Sequence, residues 1–145
     1  MTETTQSRVV LVVRAGLAVN QSTNAAAVLG ATIGAGLDLP LGAAAEDGSG
    51  TRFRGIVTTP IPVLVADGAG LTELFRKANG DETVQVACLT EAARKARSYE
   101  SYLDDLAATT GADEDIVALC IAGPRNRVTK LTKRLALLGD GSQSS

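Results

Sequence analysis

Arg8-Val-Val-Leu-Val-Val-Arg14 is an unbroken aliphatic run with a cation at each end. It has no polar side to turn toward water, which predicts a strand covered on both faces and central in a sheet. Asn20-Gln-Ser-Thr-Asn24 offers several N-caps to an alanine-rich helix over about 21–35, closed by Gly34 and Gly36. Residues 37–51, with Pro40, Gly42, Gly48 and Gly50, read as a loop. A short edge strand follows over 52–57. Pro60 and Pro62 restrict the next strand, 61–66, to an edge or a strand entry. Asp67 caps a helix over 69–79, with Leu71, Leu74, Phe75 and Ala78 on one face. Residues 83–89 read as a strand, and Thr90 caps a helix continuing to about Thr109. Ile116–Ile121 is a last buried strand, Gly123-Pro124 turns the chain, and a final helix spans 125–135. Alternation of strands and helices predicts an α/β three-layer sandwich on a mixed, mostly parallel sheet. The expected organisation is a single domain over 8–138 between two disordered tails, 1–7 and 139–145.

Composition narrows the function classes. The 145 residues include no histidine, so chemistry that needs an imidazole base or ligand is excluded. Hydrophobic residues make up 45% and aromatic residues 3%, so the core must be aliphatic. A net charge of −2 gives no global basic field to draw in nucleic acid. Cys88 and Cys120 lie in apolar runs, which favours buried thiols in a reducing compartment over a disulfide. No signal peptide and no apolar run of membrane-spanning length is seen, so the expected location is the cytoplasm. No metal-ligand spacing occurs, and neither a metal nor a cofactor is expected.

Two segments carry a family resemblance. Leu11-Val-Val-Arg14 leading into Asn20-Gln-Ser-Thr-Asn24-Ala-Ala resembles the first strand and helix of the type-two peptidyl-tRNA hydrolases. Ala122-Gly-Pro124, Val128-Thr-Lys-Leu-Thr132 and Leu135-Ala-Leu137 resemble that family's last strand, turn and terminal helix. The chain is more similar still to an uncharacterised bacterial family of unknown function that shares the hydrolase fold. That family sets Asn three residues after Gln beyond the first strand, as Gln21 and Asn24 stand here, and has the loop and Arg-x-x-Gly strand seen at 48–55. The resemblance implies a peptidyl-tRNA-hydrolase-like fold and, because the hydrolases dimerise, a homodimer. It also exposes departures. The hydrolases' helical lysine and histidine fall on Thr23 and Gly30, and two of their aspartates fall on Thr90 and Thr129. Acid and base groups contribute factors of about 10²–10⁴ each, so hydrolysis by the family's mechanism is not expected.

The remaining polar groups suggest a ligand site. Five polar side chains, Asn20 to Asn24, cluster where the first strand ends, and parallel sheets place ligands at such ends. Arg14, Asn20, Gln21, Asn24, Gly123, Pro124 and Lys130 are the ligand-binding candidates, with the Gly123-Pro124 turn expected on the same rim as Arg14. Arg125, Arg127 and Arg134, with Lys130 and Lys133, form a cationic last helix that suits an anion. The bland alternatives are helix capping for the first group and a solvated face for the second. Without an imidazole, Cys88 and Cys120 lack the usual activating base for a nucleophile, and Asp113-Glu-Asp115 reads as a solvated turn. The leading expectation is a non-catalytic domain that binds a small molecule or anion. Beside it stand a hydrolase of a peptidyl-tRNA-like ester and an RNA- or protein-interaction module using the basic last helix.

Overall fold

The computed structural model describes residues 7–109 and 115–139. The tails read as disordered, apart from Ser7 and Gly139, and residues 113–114 of the acidic triplet lie outside the described residues. Strand β1 (Ser7–Arg14) leads into helix α1 (Val19–Gly36), followed by a small hairpin of β2 (Ala45–Glu46) and β3 (Arg52–Phe53). Then come β4 (Val63–Ala66), α2 (Gly68–Asn79), β5 (Gln85–Thr90), α3 (Glu91–Lys95) and α4 (Tyr99–Ala107). The chain continues with β6 (Ile116–Pro124), α5 (Arg125–Thr132) and β7 (Ala136–Leu137).

Five strands form one sheet in the order β5-β6-β1-β4-β7. The aliphatic run of β1 is central and covered on both faces, as its lack of a polar side requires. Val10 and Val12 pack with Leu119, Ile121, Leu71, Leu74 and Val128 on the face that carries α2 and α5. Val9, Leu11 and Val13 pack with Cys120, Ala25, Leu29 and Ile33 on the face that carries α1. These two aliphatic layers are the core, and they give the three-layer arrangement.

The expected mostly parallel sheet is corrected. Only β1 and β4 pair in parallel, while β1–β6, β5–β6 and β4–β7 are antiparallel. The helices α1, α2 and α5 do connect strands running the same way (β1 to β4, β4 to β5, β6 to β7), as alternation implies. The strand order then interleaves the two directions, which alternation cannot reveal. The α3–α4 segment departs from the pattern. It leaves at Thr90 and returns at Ile116, and these two residues are register partners. It is therefore a long excursion at one end of the sheet and not a crossover.

Several element boundaries also differ. The long helix expected over 90–109 breaks at residues 96–98 because Ser98 starts a new cap: its hydroxyl accepts from the Ser101 amide at 3.1 Å, and Ser101 Oγ accepts from the Ser98 amide at 3.3 Å. Helix α1 continues through Gly34 and ends at Gly36, with Leu37 as its C-cap. The strand read at 52–57 shortens to the β2–β3 hairpin. Strand β4 is internal, because the missed β7 pairs outside it and shortens the last helix. Gly123 and Pro124 extend β6 rather than turning the chain. A side chain at Gly123 would stand 2.9 Å from the Thr83 carbonyl oxygen, so close backbone packing accounts for this glycine.

Burial is uneven. Leu119 is fully buried, whereas α4 buries no residue and leaves Leu103 46% exposed. Leu119→Ala is expected to cost about 2–5 kcal/mol in chemical denaturation, and Leu103→Ala less than about 0.5 kcal/mol. Equal losses would place α4 in the core.

Candidate functional site

The register of β1 against β6 decides which candidates can meet. Gly123 pairs with Arg8, and Pro124 with Ser7, at the start of β1. Arg14 stands six positions further on, about 20 Å along an extended strand. The expected shared rim is thus corrected: antiparallel β6 carries Gly123-Pro124 to the opposite end of the sheet from Arg14 and the Asn20–Asn24 cluster. Lys130 is exposed on α5, which covers the other face of the sheet from α1. Arg134 lies past the end of α5 and so does not continue a helical face with Arg127. Arg127 itself reaches Asp81 Oδ2 at 3.3 Å.

At the carboxyl end of β1, Arg14 is engaged in a charge network. Its Nη2 lies 3.1 Å from Glu91 Oε2 and its Nη1 lies 2.5 Å from Asp115 Oδ1. Arg94 holds the other Glu91 oxygen, donating from Nε at 2.9 Å and approaching with Nη2 at 2.8 Å. The Glu91 amide donates to the Asp115 carbonyl at 2.9 Å, tying the two ends of the α3–α4 excursion together. Partial burial pushes the Glu91 carboxyl up, but hydrogen bonds and charges from Arg94 and then Arg14 outweigh this and hold it below the ordinary 4.5.

The polar cluster at the start of α1 divides by role. Gln21 Oε1 accepts from the Ala18 amide at 3.3 Å, and Ser22 Oγ donates to the Val19 carbonyl at 3.1 Å, so these two serve the helix end. Asn20 is exposed in the first turn. Asn24 differs: with Val28 and Thr32 it forms an i, i+4, i+8 stripe beside the buried stripe of Ala25, Leu29 and Ile33.

That stripe is one wall of a cleft of about 540 Å³. The floor is Ala87, Cys88 and Leu89 of β5, an edge strand with β6 on one side only. The far wall comes from the α3–α4 excursion: Arg94, Ser98, Tyr99 and Tyr102. The two tyrosine rings lie 5.5 Å apart, tilted by 59°. A smaller cavity of about 290 Å³, lined by Phe75, Cys88, Thr90, Tyr102 and Leu106 among others, lies against the same strand. The chain holds only four aromatic residues, Phe53, Phe75, Tyr99 and Tyr102. Three of them line these two spaces, and none is among the site residues that the sequence predicts. Their scarcity was the available signal, hidden because Tyr99 and Tyr102 also fit a plain amphipathic helix.

The thiols do not form a catalytic pair. Cys120 is buried in the α1-side layer, and burial pushes its thiol up to about 12. Cys88 packs toward the other face, and both thiols are reduced. Among the described residues, no group of three or more acidic or cysteine side chains is placed to hold a metal ion.

The charge network has a pH signature. A carboxyl held below its ordinary value stabilises the fold above that value and loses its contribution as pH falls through the folded one. Glu91→Gln is therefore expected to lower stability at pH 7 by about 1–3 kcal/mol, with the gap to the parent closing as pH drops below 4.5 in urea titrations. A gap independent of pH would assign Glu91 no ionic role.

Comparison with known proteins adds identity without activity. Among the described residues, no helix is long and apolar enough to cross a membrane. No curated protein matches the chain. A solved structure, a protein of unknown function, Atu0240, from Agrobacterium tumefaciens strain C58, is similar in fold. The TM-score is 0.80 at 21% identity, over 90% of this chain and 96% of that one. The family model described as "Protein of unknown function (DUF2000)" matches residues 7–139. The chain belongs to this family of unknown function.

Proposed function

We propose that this chain is a non-catalytic domain that binds a small organic molecule in the cleft between α1 and the α3–α4 excursion. The observation that carries the reading is the wall chemistry. Val28, Leu29, Ala87, Leu89 and two tyrosines supply apolar surface, while Asn24 and Arg94 supply polar groups at the same opening. A volume of about 540 Å³ falls in the range of small-molecule sites. The rings matter because a core this poor in aromatics gains more from burying them than from leaving Tyr99 72% exposed.

The absence of catalysis is supported by what the acid–base positions hold. In the resemblance to the type-two peptidyl-tRNA hydrolases, Thr23, Gly30, Thr90 and Thr129 stand where that family has titratable groups. The Thr90 hydroxyl is already used, accepting from the Ala93 amide at 3.1 Å to start α3. Arg14, retained from the resemblance, is held by two carboxylates. The hydrolase-like scaffold is itself part of this proposal: it rests on the two sequence segments, and it makes the domain a binding protein on an inherited frame.

The test uses a neutral probe, so that charge plays no part. Prodan, an uncharged naphthalene dye, is expected to bind the native protein at one saturable site with a blue-shifted emission. Val28→Glu, which sets a charge on the cleft wall, is expected to weaken it at least about tenfold. Arg127→Ala, on the opposite face, leaves it unchanged. Equal binding by the Val28→Glu protein, or no saturable site, would refute the reading.

A further inference from the structure

Resting on that cleft as a ligand site, we infer its ligand class: a flat aromatic acid, its ring against Tyr99 and Tyr102 and its anionic group on Arg94. The polar groups at the opening are unequal. Arg94 spends Nε and Nη2 on Glu91. A guanidinium carries five N–H donors, and among the described residues Arg94 has no second acceptor for the rest. Its side chain is 34% exposed and lines the cleft. Asn24 also lines the cleft, with no side-chain partner among the described residues. Donors thus outnumber acceptors where the ligand's polar end would sit.

The local charge has the same sense. Arg94 and Lys95 at the end of α3 and Arg97 in the linker to α4 put three cations on four consecutive positions. Glu91, the acid bonded to Arg94, is shared with Arg14, so its charge is already met, and Glu100 in the first turn of α4 does not line the cleft. Asp115 lies beyond Arg14 and does not line the cleft. The amino end of α4, at Ser98 and Tyr99, opens onto the same space and adds a positive pole. A cationic ligand would meet Arg94 head on, and a neutral one would accept from it without the added strength of a charge-assisted pair.

The ring preference follows from the walls. Val28 and Leu89 face a gap whose far side is the tyrosine pair. A planar ring fills such a gap and stacks against the tyrosine pair, gaining over an aliphatic chain of equal area. Arg94 and the ring wall sit on one excursion, Glu91–Ala107, so a ligand touching both would bind α3 and α4 to the sheet.

The experiment compares three isosteres by ¹H–¹⁵N NMR titration of the full chain: 2-naphthoate, 2-naphthamide and 2-naphthylmethylamine. The expected result is naphthoate shifts at residues 24–32, 87–89 and 94–102. The amide should bind about tenfold more weakly, and the amine more weakly still. Arg94→Gln should reduce naphthoate to about the affinity of the amide while costing the amide much less, and an unchanged pattern of dispersed amide signals outside the cleft shows that the variant is folded. If amide and acid bind alike at these residues, the acid class falls while the cleft reading stands. If none of the three moves these residues, both fall.

Discussion

The antiparallel pairing of β6 with β1 governs the rest of the molecule. Seven consecutive register pairs, from Ser7↔Pro124 to Val13↔Ala118, join two strands buried on both faces. With only four aromatic residues available, the apolar surface that drives folding is concentrated in these interleaved aliphatic rows. A slip of one residue would carry each row to the wrong helix layer, so the register is strongly specified. Once it is set, β5 can pair only on the far side of β6 and becomes an edge. The candidate cleft exists because that edge strand is flanked by α1 and by an excursion that must leave and return at one end of the sheet.

The sequence made legible those features that arise from short-range patterning. The run Arg8–Arg14 carries its central position openly, and the caps at Asp67 and Thr90 act as their side chains suggest, accepting from Gly70 and Ala93. Strand direction was legible through three helical crossovers. Strand order was not, because periodicity records which face a residue turns and nothing about which strand lies alongside. Strand β7 escaped notice because Leu131, Leu135 and Leu138 keep a helical spacing through it, and its two residues are exposed. The break at residues 96–98 depends on a serine cap that, in sequence, looks like one more polar position in an amphipathic helix.

The site was half legible for the same reason. Asn24 was singled out for its place after the first strand, and it does line the cleft. A parallel sheet would bring Gly123, Pro124 and Lys130 beside it, but the register sends them to the other end or the other face. Arg14 proves to be a brace for Glu91 and Asp115. Arg94 and the tyrosines are not legible as cleft residues in the sequence, because only the fold of the excursion brings residues 94–102 across from α1.

A cleft built this way has a rigid side and a loosely held side. Strand β6 is paired on both edges and buried on both faces, while α4 contributes nothing to the core. Native-state hydrogen exchange measures this contrast residue by residue. The amides of residues 117–122 should open only with global unfolding, and those of α4 should exchange by local opening at a much smaller free energy. Protection of α4 equal to that of β6 would contradict the account.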